Sequence, residues 1–539
     1  MATMKQNPPA ANIEVKGVVS SVAATSLRIK PGYEWASVLK RAMAAAPEAF
    51  TKDGLLLNLI EGTWGTPGNG RASVSAIDGT VLGKLPFIEL PVGQKAVKAA
   101  RAEQAAWGKR PLRERQDRLR ATLAEMRTHR DTLAALLMWE IGKPIQAAQA
   151  DVDRCIEGVQ WYVDNIESML HKREPLGLIS NIASWNYPLS VLVHVILIQA
   201  LAGNSVIAKA PTDGGGMSVG LCMAIARRNG LPVSFVCGSG GVLSDALVRN
   251  QYVDCLSFVG GRSSGRDVAS SLVDTNKRYM IEMEGVNAYG VWDFSQWDEL
   301  AKQIKKGFEY GKQRCTAYPR FVVQRTLLPQ FLDTYLGVLK SLRFGNPLLV
   351  SRDDEELPQL DFGPLINAKK VEELRGLWSE ALAGGGMPIY QGSLNNAPLL
   401  PGQDTSSYFA PATLLGLPRS CKLYYNEPFG PLDAIIVVDR VEEMIAEMNV
   451  SNGNLVSSLA TDDAALAQRV SQEVRAFKFG HNKIRSRGDK EELFGGLGQS
   501  WKGCFVGGAL LVRAITRGEN DDELPGVFST GTRLANVRQ

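Results

Sequence analysis

The 539-residue sequence predicts an α/β protein of more than one domain. Three observations carry that expectation. Between 175 and 282, short apolar runs alternate with helical stretches, the pattern of a parallel sheet covered on both faces. From 286 to about 500 a second α/β region follows. A hydrophobic share of 45% against 22% charged residues is ordinary for a globular chain.

Taken in order, residues 1–52 read as an N-terminal extension with one amphipathic helix candidate, "YEWASVLKRAMAAAPEAF". Short strands come next, then "AVKAARAEQAAWGKR" and "RERQDRLRATLAEMRTHRDTLAALLMWEIG", whose apolar residues recur at helical spacing. "LGLISNIA", "NSVIAKA", "VSFVCG" and "CLSFVGG" read as strands, with helices "LSVLVHVILIQALA" and "SVGLCMAIARRNG" between them. The apolar run from 189 to 208 is interrupted by His194, Gln199 and Asn204, so a buried helix leading into a strand fits it better than a membrane span. Beyond 286, "WDELAKQIKKGFEYG" and the glycine-closed "NAKKVEELRGLWSEALAGGG" are helices. The tail from 514 is polar.

The composition removes several function classes. A net charge of +4 is slight for this length and gives no reason to expect a nucleic-acid partner. Seven scattered cysteines without a CxxC pair, beside four histidines, argue against a zinc framework and against a secreted disulfide scaffold. The N-terminus lacks the compact apolar core of a signal peptide. The expected compartment is the reducing cytoplasm.

Chemistry centres on "GKQRCTA", where Lys312 and Arg314 put positive charge beside Cys315. Taken alone, this thiol is open to three readings: buried bystander, metal ligand or nucleophile. Glu282 and Glu284 in "YMIEMEGVNA" lie two apart and would point the same way from a strand, so the residues alone do not choose between them. Asn186 reads equally as a turn residue before Pro188.

Five ordered stretches, "REPLGLISNIASWNYP", "YMIEMEGVNA", "FEYGKQRCTA", "NEPFGP" and "LFGGLGQSWKG", together resemble the aldehyde dehydrogenase superfamily, from roughly Asn58 to about Gly503. The resemblance implies a Rossmann-like NAD(P)-binding domain over 53–285 and an α/β catalytic domain over 286–503. It also implies a C-terminal arm, 504–539, serving as a small oligomerisation element. It implies Cys315 as nucleophile, Asn186 as amide donor to the oxyanion of a thiohemiacetal, and Glu282 as the base that activates water against the thioester. For the cofactor, NADP or NAD, it implies Trp185, Lys209, Thr212, Glu427 and Phe429, with Gly260, Gly261 and Gly265 near the pyrophosphate. Threonine at 212, where NAD-specific relatives carry a glutamate, favours acceptance of NADP. Tyr187 and His194, with aromatics such as Phe308 or Tyr318, would line an aldehyde tunnel suited to an aromatic or medium-chain substrate; His194 reads equally as a satisfied core histidine.

Two departures stand out. Glu284 and Lys312 occupy positions where the family usually has glycine, and their opposite charges suggest an ion pair near the nicotinamide. Only a short stretch separates "QWYVDN" from "REPLG", as in dimeric members, so a homodimer or higher homo-oligomer is expected. The rivals to aldehyde oxidation are a coenzyme A-acylating enzyme, against which Glu282 speaks, and an inactive nucleotide-binding scaffold.

Overall fold

The computed structural model describes residues 27–65, 70–273, 275–450, 454–486, 491–519, 522 and 524–528. The first half of the N-terminal extension (1–26) and the end of the C-terminal arm (529–539) lie outside the described residues.

Two large sheets organise the chain. The first has nine strands, and its centre is five parallel strands in the spatial order Arg278–Glu282, Cys255–Val259, Leu178–Ile182, Ser205–Lys209, Val233–Val236. Every residue of Ser205–Lys209 and of Val233–Val236 is buried, which explains their largely apolar make-up: helices cover both faces. From Leu178–Ile182 the chain winds one way through Ser205–Lys209 and Val233–Val236. It then returns to the other side for Cys255–Val259 and Arg278–Glu282. A crevice therefore opens at the carboxyl ends of Leu178–Ile182 and Cys255–Val259, where the winding reverses.

Strand register brings those ends level. Ile182 lies beside Lys209 and Phe258, and Val259 beside Glu282. Glu282 is thus the last residue of its strand, at the rim of the crevice.

The second sheet has seven strands in the order Met387–Gln391, Ala412–Leu415, Leu432–Val438, Arg320–Gln324, Ala288–Val291, Asn454–Ala460, Ala476–His481, all parallel except the first. Only residues 283–287 separate the end of one sheet from the start of the other. Cys315 lies in the loop leading into Arg320–Gln324, so the two sheets meet around it.

Several elements differ from the sequence expectations. The stretch 112–141 is two helices, Leu112–Thr128 and Arg130–Ile141, broken at His129. A 25-residue helix, Ile145–Met169, adds to the expected elements. The apolar run from 188 begins with a π-helical stretch, Pro188–Val193, before the helix His194–Leu201 and the strand Ser205–Lys209. Widened turns of that kind recur near functional sites. Trp501–Cys504 pairs antiparallel with Arg278–Glu282, and Gly526–Val527 pairs with Gly503 and Cys504, so both join the first sheet. The N-terminal helix Trp35–Ala45 buries Val38, Ala42 and Ala45 and packs on Arg130–Ile141. Among the described residues no helix is long and apolar enough to cross a membrane.

Candidate active site

The segment bearing Cys315 begins with an uncommon turn. Tyr310, Gly311 and Lys312 all have positive φ, at 57°, 62° and 58°. Glycine tolerates that conformation, whereas each of the other two carries strain of about 1 kcal/mol. Their side chains are anchored in compensation. The Tyr310 hydroxyl donates to the Ile141 carbonyl at 2.8 Å. Lys312 Nζ donates to both oxygens of Asp433, at 2.7 and 2.6 Å, and to the Tyr318 carbonyl at 2.9 Å.

Lys312 therefore does not meet Glu284. The expected ion pair between them is absent, because the left-handed turn sends the lysine into the core of the second sheet, where Asp433 receives it. Glu284 instead accepts the Arg262 backbone N–H at 3.0 Å. Arg314, too, is engaged away from the thiol. Its Nη2 donates to the carbonyls of Gly307 (2.8 Å) and Lys306 (3.2 Å), capping the helix Trp297–Gly307 where a cation suits the helix dipole.

Glu282 touches the thiol. Cys315 Sγ donates to Glu282 Oε1 at 2.9 Å, and Glu282 is 1% exposed. Around this pair the backbone is clamped. Asn287 Nδ2 donates to the carbonyls of Cys315 (2.7 Å) and Ala317 (2.8 Å), while its Oδ1 accepts the Val456 N–H at 3.2 Å. The fully buried Gln313 ties the preceding turn to Pro364 and Ile366. Asn186 Nδ2 donates to the Gln313 carbonyl at 3.0 Å, and its Oδ1 accepts the Ser184 hydroxyl at 2.6 Å. An amide nitrogen carries two hydrogens, so this bond uses one donor and leaves the other.

Asn287, Gln313 and Asp433 are absent from the sequence-level candidates. Each had a signal: a polar side chain in an otherwise apolar stretch, "EGVNAYGV", "GKQRC" and "GPLDAIIVV". Such residues end up buried only when hydrogen-bonded.

The other candidates fall into groups. Trp185 sits edge-on to Phe429 with centroids 5.8 Å apart and to Tyr310 at 6.4 Å. Tyr187 stacks beneath Lys143 Nζ, 3.8 Å from its ring centre, and Lys143 pairs with Asp151 in complete burial. Glu427 is 5% exposed, and neither of its oxygens has a hydrogen-bond partner among the described residues. Burial, then the neighbouring charge of Glu284, pushes its carboxyl well above the usual range. Lys209 Nζ donates to the Ala210 carbonyl and to Thr212 Oγ1, both at 3.0 Å; burial pulls its pKa down to about 8. Asp213 turns to Arg71 at 3.4 Å.

The three glycines do different jobs. A Cβ on Gly265 would lie 2.4 Å from Met283 Cγ, and one on Gly260 2.7 Å from the Phe258 ring, whereas one on Gly261 would meet open space. Gly261 precedes the helix Arg262–Ser270 at the crevice. His194 is half-buried with its ring 6.1 Å from Tyr162, and a Cβ on Gly158 would come within 2.7 Å of His194 Nε2. Phe308 and Tyr318 are core residues: Phe308 lies under Lys312, and the Tyr318 hydroxyl pairs with Ser458 at 2.8 Å and accepts the Arg485 N–H at 2.8 Å.

Residues 66–517 match the profile of the aldehyde dehydrogenase family. This chain belongs to that family. Among characterised aldehyde dehydrogenases it is 24% identical over 456 residues to the 3,6-anhydro-alpha-L-galactose dehydrogenase of Vibrio sp. (strain EJY3), covering 81% of this chain and 92% of that one. The solved NADP-dependent glyceraldehyde-3-phosphate dehydrogenase of Bacillus halodurans C-125, complexed with NADP, superposes with a TM-score of 0.77 at 24% identity, over 86% of this chain and 98% of that one. Betaine aldehyde dehydrogenase of Staphylococcus aureus, in complex with NAD+, gives a TM-score of 0.78 at 20% identity, over 89% and 96% respectively. At these identities the structural likeness speaks for the fold alone.

Proposed function

We propose that this aldehyde dehydrogenase oxidises an aldehyde to its carboxylic acid with NADP or NAD, using Cys315 as nucleophile and Glu282 as base. The 2.9 Å thiol–carboxylate contact carries the reading, because it joins two motifs from different sheets inside a water-poor junction. Glu282 takes the thiol proton as Cys315 Sγ adds to the aldehyde carbon. Asn186 Nδ2 offers its second hydrogen to the oxygen that becomes anionic, a fixed donor worth on the order of 3 kcal/mol at the transition state. Bound NADP or NAD supplies the acceptor for the hydride that the carbon then loses. Cys315 is left as a thioester, and Glu282, having released its proton to solvent, activates the water that breaks the C–S bond.

The residues present fit a dinucleotide. Glu427 holds two buried carboxyl oxygens without hydrogen-bond partners among the described residues, as a group meant for ribose hydroxyls would. Lys209 and Thr212, already bonded to each other, present a cation and a hydroxyl to a 2′-phosphate, and the neighbouring Asp213 carboxylate turns to Arg71. Aromatic side chains at Trp185, Tyr187 and Phe429 favour an aromatic or medium-chain aldehyde over a phosphorylated one. A homodimer or higher homo-oligomer is part of the same reading.

The test is formation of reduced cofactor with aromatic, medium-chain and phosphorylated aldehydes, with and without coenzyme A. Oxidation without coenzyme A is expected. Cys315→Ala should lower kcat at least about a thousandfold while cofactor still binds. Glu282→Gln should slow steady turnover about a hundredfold after a burst of reduced cofactor, and should also slow alkylation of Cys315 by iodoacetamide. An unimpaired alanine variant overturns the reading. A strict requirement for coenzyme A selects the acylating enzyme instead, and binding without turnover selects the scaffold.

A further inference from the structure

The N-terminus of the helix Arg262–Ser270 faces a cavity of about 520 Å³ whose lining includes Arg262, Arg266, Glu284 and Glu427. An open helix N-terminus attracts an anion. Here the chain provides one itself: Glu284 Oε1 accepts the Arg262 N–H at 3.0 Å. The Arg262 guanidinium stands close by, with Nε 3.8 Å from the same oxygen, beyond hydrogen-bond reach. Its Nε and Nη2 are shielded from solvent and have no hydrogen-bond partner among the described residues. Across the same cavity the 95%-buried Glu427 has two oxygens without hydrogen-bond partners among the described residues, an independent sign that a ligand completes this space. The Glu284 backbone is held by the Ser500 hydroxyl, which donates to its carbonyl at 3.0 Å, so the side chain is the part left to move.

Resting on the dinucleotide reading above, we propose that Glu284 and Arg262 set how tightly this enzyme holds its cofactor: the Glu284 carboxylate is an internal anion seated at the helix N-terminus, and the cofactor diphosphate displaces it onto the Arg262 guanidinium. Two anions do not share one helix N-terminus at low cost. The unspent donors of Arg262 lie where a displaced carboxylate gains a direct charge-assisted bond, which offsets part of that cost. An internal competitor lowers apparent affinity by the fraction of molecules in which it is already displaced.

Isothermal titration of the full chain with NADP, ADP and adenosine tests this, with thermal unfolding to confirm that each variant folds. Glu284→Gly should tighten NADP and ADP about tenfold and leave adenosine, which lacks the diphosphate, unchanged. Glu284→Gln, which keeps the volume, should tighten both in the same direction. Arg262→Ala should weaken NADP in the native background and weaken it less in the Glu284→Gly background. The proposal is overturned if both Glu284 variants bind NADP within twofold of the native protein, or if adenosine tightens equally. It is also overturned if removing Arg262 leaves NADP affinity unchanged. If neither NADP nor NAD binds the native protein or any variant, the dinucleotide reading itself falls, and the displaced-carboxylate proposal with it.

Discussion

Lys209 closes its strand with a buried ammonium whose two hydrogen-bond partners among the described residues are the Ala210 carbonyl and the Thr212 hydroxyl. Both are neutral. Burial is the largest influence on it and lowers its pKa to about 8; Cys237 and Asp213 pull the other way. A ligand 2′-phosphate would favour the charged form, so NADP binds the protonated lysine better. Its affinity should hold below about pH 8 and fall as the pH rises through that value, while NAD, which lacks the phosphate, changes far less. We expect the ratio of kcat/KM for NADP over NAD to shrink severalfold between about pH 7 and pH 9. Lys209→Met should flatten that dependence, and Thr212→Glu should shift preference to NAD at every pH. A pH-independent ratio in the native protein would assign the discrimination elsewhere.

At the scale of an element, the left-handed turn Tyr310–Lys312 and the strand Leu432–Val438 depend on each other. Lys312 is 2% exposed, and Asp433 also accepts the Tyr335 hydroxyl at 2.7 Å. Burial pushes the lysine's pKa down and the aspartate's up, and their mutual attraction opposes both shifts. Breaking such a pair strands a charge in the core and costs about 3–5 kcal/mol. Lys312→Gly relieves backbone strain of about 1 kcal/mol, so its net loss should be about 2–4 kcal/mol. Adding Asp433→Asn should recover much of that loss, a non-additive result readable in a denaturant-unfolding cycle. Simple additivity would show that the two side chains do not sustain each other. The Cys315 loop follows this turn directly, so the single variant should also slow catalysis.

Across the whole molecule, one cluster fastens the C-terminal segment to the first sheet. Arg173 donates to both oxygens of Asp522, at 2.6 and 3.0 Å, and to Thr516 Oγ1 at 2.7 Å; just beyond, Gly526–Val527 pairs with Gly503 and Cys504. Burial raises the Asp522 pKa, but the Arg173 bond and charge outweigh it, and the net shift is downward. A lowered carboxylate contributes stability that is present above its unfolded value, about 3.9, and lost as the pH falls through the folded value. Hydrogen exchange at Gly503 and Cys504 should therefore accelerate below about pH 4. Asp522→Asn should produce the same acceleration at neutral pH, with the global fold retained. Unchanged exchange in that variant would mean that the strand pairing alone holds the segment.

Much of this protein is local and therefore legible in a single chain. Period and punctuation mark the alternating strands and helices, because a parallel strand buried on both faces is mostly apolar, as Val206, Ile207 and Ala208 are within Ser205–Lys209. The ordered motifs around Cys315, Glu282, Asn186, Lys209 and Glu427 are legible too, because the family resemblance rests on residue type and order, whereas each residue alone leaves more than one reading open. What the sequence does not contain is which charge meets which. Lys312 and Glu284 invite pairing by sign and motif, yet one reaches Asp433, 121 positions away, and the other the Arg262 N–H. The His129 break, the return of Trp501–Cys504 to the first sheet, and the grip of Asn287 on the Cys315 backbone are likewise decided by packing. A buried charge or amide takes whichever partner the folded chain brings within about 3 Å, and that distance belongs to the tertiary structure.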